Sequence, residues 1–326
     1  MNVTKKTNLG SKSAGQPKKH MKAWRVLINA LVALALAYIV YSQRSMFGGS
    51  VERIQNAEPG WLIMGVVFIF ATYVLAALQY KALAQKPIKF VPTWVVQLAG
   101  ALVNRILPAG LGGLGLNADY LHRNKHSITQ AGVVAGTNNL MGIAVHIALV
   151  LLIIAIGGSV SNFTAPSLPP ALYIASGLFV LAITLIFMFV PKARHLLRVA
   201  ADDIKKSVVY YKKHPWRLGA AAVISLLVSL CFIASVYAAT RALGIDSISF
   251  SQAAIIMTMG VLIGTATPTP GGVVGAEAGL AAALVAYGLP TSEAIAVAIL
   301  YRVFSYWLPL IVGGIAFIIA QKKRYI

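Results

Sequence analysis

Charge is what this sequence has least of. Only 11% of its 326 residues are Asp, Glu, Lys or Arg, against about 25% in an average soluble domain. Acidic residues are the scarcest, 8 against 28 Lys and Arg, for a formal net charge of +20. So few carboxylates leave little from which to build an acid–base or metal-dependent active site. The single cysteine, Cys231, lies inside an apolar run, which excludes a disulfide framework or a thiolate metal site within the chain. His122 and His126 are one helical turn apart but have no third ligand nearby, so neither a metal nor a cofactor is expected. No polar stretch is long enough to fold around a core of its own. The short alternating strands of a membrane β-barrel are also missing.

What is there is apolar. Hydrophobic residues make up 58% of the chain, and the mean hydropathy is +0.77. The runs Trp24–Tyr41, Trp61–Tyr80, Ile128–Ile156, Pro170–Val190, Trp216–Thr240 and Ser292–Ala320 reach the ~18 to 20 residues that a helix needs to cross a bilayer. Several begin or end at Trp or Tyr, the usual interfacial anchors. Lys18, Lys19, Lys22 and Arg25 lead into the first run as they would into a secretory signal. The lead is long, however, and Tyr41-Ser42-Gln43-Arg44 is a poor cleavage site, so an uncleaved span is predicted.

Two further apolar regions, Thr93–Leu121 and Phe250–Gly288, are broken at their centres. The breaks read Pro108-Ala109-Gly110-Leu111-Gly112-Gly113 and Pro268-Thr269-Pro270-Gly271-Gly272. Each region is short for two full crossings and a turn. A break frees backbone N–H and C=O groups that lipid cannot satisfy, so it must sit inside protein or line a wet cavity. Two re-entrant helical hairpins are predicted, the first dipping from the cytoplasm and the second from outside, with short tilted full spans as the alternative. The expected fold is an all-α polytopic membrane protein with about six full spans and two broken hairpins, or eight or more spans.

The basic residues set the orientation. They gather before Trp24, in Lys81–Lys89, His122–His126 and Lys192–Arg217, and at Lys322–Arg324; the alternate loops hold only Arg44, Arg53 and Arg241. By the positive-inside rule both termini face the cytoplasm. Residues 1–22 are expected to be a disordered basic tail, 23–320 a single transmembrane domain and 321–326 a basic end. The order span, span, hairpin, span occurs twice, over 24–156 and 170–320, from opposite sides. That is the pattern of an inverted-topology repeat. Pro191–Pro215 reads as an interfacial amphipathic helix or a solvated loop.

Four ionisable residues fall in apolar segments: Arg105, Asp119, Glu277 and Arg302. Each costs ~2.5 to 3.5 kcal/mol at a helix centre and needs a partner or water. One reading has two arginines holding a phosphate, with the carboxylates setting their rotamers or carrying a coupled proton. The other has internal ion pairs locking hairpins to spans, with Asp119 solvated beside His122-Arg123. The second arm of each hairpin would start near Leu114 and Val273, its N–H groups facing the membrane interior where an anion suits them. Gly112, Gly113, Gly271 and Gly272 would then admit the ligand to the backbone, or serve only helix packing. Asn117, like Asn104, Asn138 and Asn139, suits an interhelical or headgroup hydrogen bond. His146 reads as a core histidine. With Pro108 and Pro270 marking the breaks, the candidate binding residues are Arg105, Pro108, Gly112, Gly113, Asn117, Asp119, Pro270, Gly271, Gly272, Glu277 and Arg302.

At Asn104–Gly113 and Pro268–Leu280 the chain resembles the lysylphosphatidylglycerol synthase transmembrane-region family, the membrane part of the multiple peptide resistance factor and of many stand-alone proteins. The likeness in segment order runs from about Trp24 to Ala320. It implies translocation of an anionic lipid between leaflets. Many relatives carry an acidic residue and an arginine where this chain has Leu114 and Asn117. The aminoacylating domain of the fused relatives has no counterpart here, so no synthase activity is expected. The function expected is a flippase of the inner membrane for a phospholipid, polyprenyl phosphate or glycolipid. Its partners would be anionic membrane lipids, without nucleic acid. The alternatives are a scaffold or accessory subunit for a glycosyltransferase of a cell-envelope pathway and, further off, an integral membrane transferase.

Overall fold

The computed structural model describes residues 56–106, 111–155, 205–266 and 275–326, and all of them are helix, turn or short linker, with no strand among the described residues. They belong to one unit, 47–326. The helices are α1 (Pro59–Leu83), α2 (Phe90–Ile106), α3 (Leu111–Arg123), α4 (Ile128–Ala155), α5 (Pro215–Ala242), α6 (Phe250–Ala266), α7 (Gly275–Ala286), α8 (Thr291–Arg302) and α9 (Leu308–Lys322). A π-helical turn, Val303–Trp307, joins α8 to α9. The spans expected at Trp24–Tyr41 and Pro170–Val190, the tail and most of the Pro191–Pro215 stretch lie outside the described residues.

Among the described residues, four helices are long and apolar enough to cross a membrane: α1, α4, α5 and the continuous Thr291–Lys322. They coincide with four of the predicted runs to within about three residues at either end. A helix satisfies its own backbone, which is why an apolar run of this length folds as one in lipid. Many of their large apolar side chains face outward, among them Ile63 and Val67 on α1, Ile143 and Leu151 on α4, and Ile311 and Ile315 on α9. Exposure of this kind suits hydrocarbon rather than water. The arms α2, α3, α6 and α7 have 17, 13, 17 and 12 residues, each short of the ~20 that a full crossing takes.

Side-chain chemistry at the ends sets the helix limits. Ser127 and Gln130 form a reciprocal capping box ahead of α4, and Ser249 and Gln252 form the same box ahead of α6. In each, the serine hydroxyl accepts a backbone N–H while the glutamine oxygen accepts another, so two orphan donors are satisfied. The helix after Leu284 ends at Gly288, where φ is 90° and the Leu289 N–H reaches back to the Leu284 carbonyl at 3.2 Å. A left-handed residue of this kind is glycine's usual place.

α1 and α5 form the central pair and run antiparallel: Gln79 donates to Ser225 at 2.6 Å, Ser235 to the Gly65 carbonyl at 3.1 Å, and the Glu58 N–H to the Ala242 carbonyl at 2.8 Å. Arg217, at the start of α5, donates to the Ala82 and Ala84 carbonyls and caps the end of α1. Tyr211 adds a hydroxyl bond to Leu83 at 2.7 Å. One apolar core gathers α5 to α8 around Ile233, Ile256, Leu284 and Leu300. A second joins α1 to α4 around Leu83, Val96, Leu121 and Val134.

The linkers after α1 and α3 are clamped by one histidine. His126 is buried; its Nε2 accepts the Lys86 N–H at 3.1 Å and its Nδ1 lies 3.1 Å from the Leu121 carbonyl. Burial pushes its pKa below the usual histidine value, as desolvation disfavours the cation. The neutral ring fits both bonds only with the proton on Nδ1. Because the unfolded chain takes up that proton first, stability should fall as pH drops below about 6.5, by at most ~1.4 kcal/mol per pH unit. Thermal unfolding from neutral to mildly acidic pH checks this; His126→Gln keeps a donor and an acceptor and should flatten the slope.

Candidate functional site

Two asparagine side chains hold the first hairpin shut. The Asn104 side-chain Oδ1 accepts the Gly113 N–H at 2.6 Å, so the first turn of α3 is capped by its own hairpin. Asn117 accepts from Gln97 at 2.6 Å and donates to the Gly113 carbonyl at 2.8 Å. A Cβ on Gly112 would lie 2.5 Å from the Val103 carbonyl oxygen, and one on Gly113 would lie 2.7 Å from the Asn104 amide. These glycines therefore let α2 and α3 touch. Gly113 has no N–H left for an anion.

In the second hairpin the described contact is made by Gly260 and Gly279. Gly279 faces the Met259 carbonyl and Gly260 across α6 and α7, and a Cβ on Gly260 would meet Leu280 at 2.6 Å. Pro108, Pro270, Gly271 and Gly272 lie outside the described residues.

The ionisable residues separate. Asp119 pairs with Arg123 on its own helix at 2.8 Å, with both side chains about half exposed. It stands apart from the buried charges, as interfacial solvation had it. Glu277 and Arg302 form a buried pair, Arg302 Nε donating to Glu277 Oε1 at 2.6 Å. Glu277 is in the first turn of α7, where the helix dipole favours its charge, and Arg302 closes α8 just before the π turn.

Arg105 joins this pair through a residue the sequence reading missed. The Arg302 guanidinium carbon lies 4.5 Å from the centre of the Tyr306 ring and that of Arg105 lies 5.2 Å from it. A desolvated cation over an aromatic ring gains ~2 kcal/mol. Arg105 also donates to the Ala101 carbonyl at 2.6 Å and the Ser305 carbonyl at 2.5 Å. Tyr73 on α1 sits against it. Ser305 and Tyr306 belong to the π turn, whose wider ring of hydrogen bonds lets a carbonyl turn outward. Arg302 and Tyr306 are four residues apart; that spacing was the only trace of the contact in the sequence.

The cluster is unfinished. Among the described residues, Glu277 Oε2, Arg105 Nε and the Tyr306 hydroxyl are buried without a hydrogen-bond partner. A buried polar atom left unpaired costs ~1 to 3 kcal/mol. The described cluster holds two guanidiniums and one carboxylate, one positive charge in excess. An oxyanion with several acceptor oxygens would neutralise it and engage the spare donors. Among the described residues, no three His, Cys, Asp or Glu side chains gather as a metal site.

Comparison with known proteins places these elements. The sequence profile of the lysylphosphatidylglycerol synthase TM region matches residues 26–313. A UPF0104 membrane protein of Methanothermobacter thermautotrophicus is 32% identical over 98 residues, which is 30% of this chain and 29% of that relative. The aligned stretch thus spans under a third of the curated relative.

Proposed function

Because the chain belongs to the lysylphosphatidylglycerol synthase transmembrane-region family, we propose that it carries an anionic lipid or lipid-linked sugar between the leaflets of the inner membrane, without catalysing a covalent step. The observation that carries this reading is the meeting of Arg105 and Arg302, one from each half of the chain, on the ring of Tyr306 beside Glu277. Ionisable groups kept inside a membrane domain mark substrate paths. Here the excess charge is positive and donors are spare, as a phosphate-bearing headgroup requires.

The architecture supports the same reading. α1 and α5 hold the same place in the two units, and they pack antiparallel, as an inverted repeat demands. The short paired arms α2–α3 and α6–α7, closed on glycines, suit hairpins that enter and leave on one side. The basic linkers suit termini on the cytoplasmic side. Membrane lipids are then the partners.

The test is leaflet exchange of labelled lipids in vesicles holding the purified protein. Anionic lipids should exchange at least ~10-fold faster than in empty vesicles, equivalent to ~1.4 kcal/mol off the barrier. A zwitterionic lipid should gain much less. No protein-dependent exchange across phospholipids, polyprenyl phosphates and glycolipids would sink the proposal and favour a scaffold for a glycosyltransferase.

A further inference from the structure

α4 is the least covered of the long helices; none of its most apolar window is buried. One flank is nonetheless polar. Gly142 stands four residues after Asn138 and three after Asn139, and His146 stands four after Gly142, so the four share one flank. Asn139 is exposed, and the Asn138 Oδ1 atom is buried without a partner among the described residues. They lie ten and eleven residues into α4, about 15 Å along its axis, close to the middle of a ~30 Å hydrocarbon core. An amide turned outward at that depth has no partner in lipid tails and costs several kcal/mol unless water or a polar group reaches it.

The glycines sharpen the point. Small residues in membrane helices usually let backbones approach, and Gly65, Gly112, Gly260, Gly279 and Gly313 do so here. Among the described residues, a Cβ added at Gly132, Gly136 or Gly142 of α4 would meet nothing within 4 Å. These three make room that no described helix fills.

The neighbour across this space is α6, tied on by the His146–Thr258 bond at 3.0 Å. Thr258 already donates to the Ala254 carbonyl at 2.7 Å, so His146 is the donor. The segment order matches α4 and α6 with α9 and α2 in the other unit. That second pair is closed: a Cβ on Gly313 would lie 2.7 Å from the Leu98 carbonyl oxygen.

We infer that the flank of α4 carrying Asn138, Asn139, Gly142 and His146 is a polar furrow, open sideways to the bilayer, along which the lipid headgroup travels while its acyl chains stay in hydrocarbon. This rests on the lipid-translocation reading and adds the route. The furrow side chains are neutral hydrogen-bonding groups, which replace lost hydration without holding the headgroup tightly. The charged cluster selects, and the furrow conducts.

The test uses the full chain in vesicles, with Cys231→Ser as background. The Asn139→Cys thiol should react with a membrane-impermeant charged methanethiosulfonate at least ~10-fold faster than the Leu151→Cys thiol, because only a hydrated thiol forms the reactive thiolate. Gly142→Leu puts a side chain into open space, so it should leave thermal stability unchanged and slow lipid exchange at least ~5-fold. Equal thiol reactivity at the two positions would overturn the furrow. So would wild-type exchange in Gly142→Leu, with lipid translocation itself left standing. Absence of exchange in the wild-type protein, whatever the thiols do, would remove the translocation reading and the route with it.

Discussion

Arg302→Ala is expected to abolish lipid exchange and to lower the melting temperature, whereas Arg302→Ala combined with Glu277→Ala recovers the melting temperature but not the exchange. Breaking a buried pair by removing one partner costs ~3 to 5 kcal/mol, since the other charge is left uncompensated. Arg302→Ala strands Glu277, whose second oxygen already lacks a partner among the described residues. The double variant removes both charges, and apolar replacement of a buried pair is often close to neutral. If the pair served only to staple α7 to α8, recovered stability would bring recovered function. Glu277→Gln separates the roles further. It leaves both arginines and raises the excess positive charge, so an anionic headgroup should bind tighter and leave more slowly. Exchange should then saturate at lower lipid content with a lower maximal rate. Exchange at the wild-type rate in both single variants would rule out this cluster as the site.

Gly313→Ala should cost at least ~2 kcal/mol of stability, while Gly314→Ala, one residue on, should be neutral or raise stability by up to ~1 kcal/mol. A Cβ on Gly313 would meet the Leu98 carbonyl oxygen at 2.7 Å and the Leu102 nitrogen at 3.0 Å, and one on Gly314 would meet nothing within 4 Å. Backbone atoms inside a helix cannot step aside as a side chain can, so α9 must draw away from α2 along its length. Helix propensity favours alanine equally at both positions, so the difference isolates the contact. Unfolding in detergent compares the two; equal melting temperatures would refute the backbone contact between α9 and α2.

The sequence and the structure agree where one physical rule dominates. Long apolar runs have no alternative to helix in lipid, so α1, α4, α5 and Thr291–Lys322 were legible almost to the residue. Arg105, Glu277 and Arg302 were legible as well, because a charge inside such a run needs an account whatever the tertiary fold. Their meeting point was not. Tyr306 looks like any interfacial aromatic until the guanidiniums of Arg105 and Arg302, 197 positions apart in the chain, converge on it. The Gly-Gly motifs drew notice by composition, whereas Gly260 and Gly279, which touch across α6 and α7, are isolated glycines in an apolar background. Gly112 and Gly113 turned out to pack α3 on α2. Asp119 was ambiguous in sequence because it stands one turn from Arg123, and that near partner takes it.

The wide turn at Val303–Trp307 has a consequence for how this helix tolerates length changes. A π turn holds one residue more than an α turn needs, and each residue in an α-helix advances the phase by about 100°. Deleting a single residue there would leave a smoother helix, yet everything after it would swing by that angle. Gly313 would turn away from Leu98, and an apolar side chain would be driven into the seam instead. The extra residue thus works as a phase shifter. It lets Arg302 and Tyr306 point into the charged cluster while the glycine of the same helix still lands on α2.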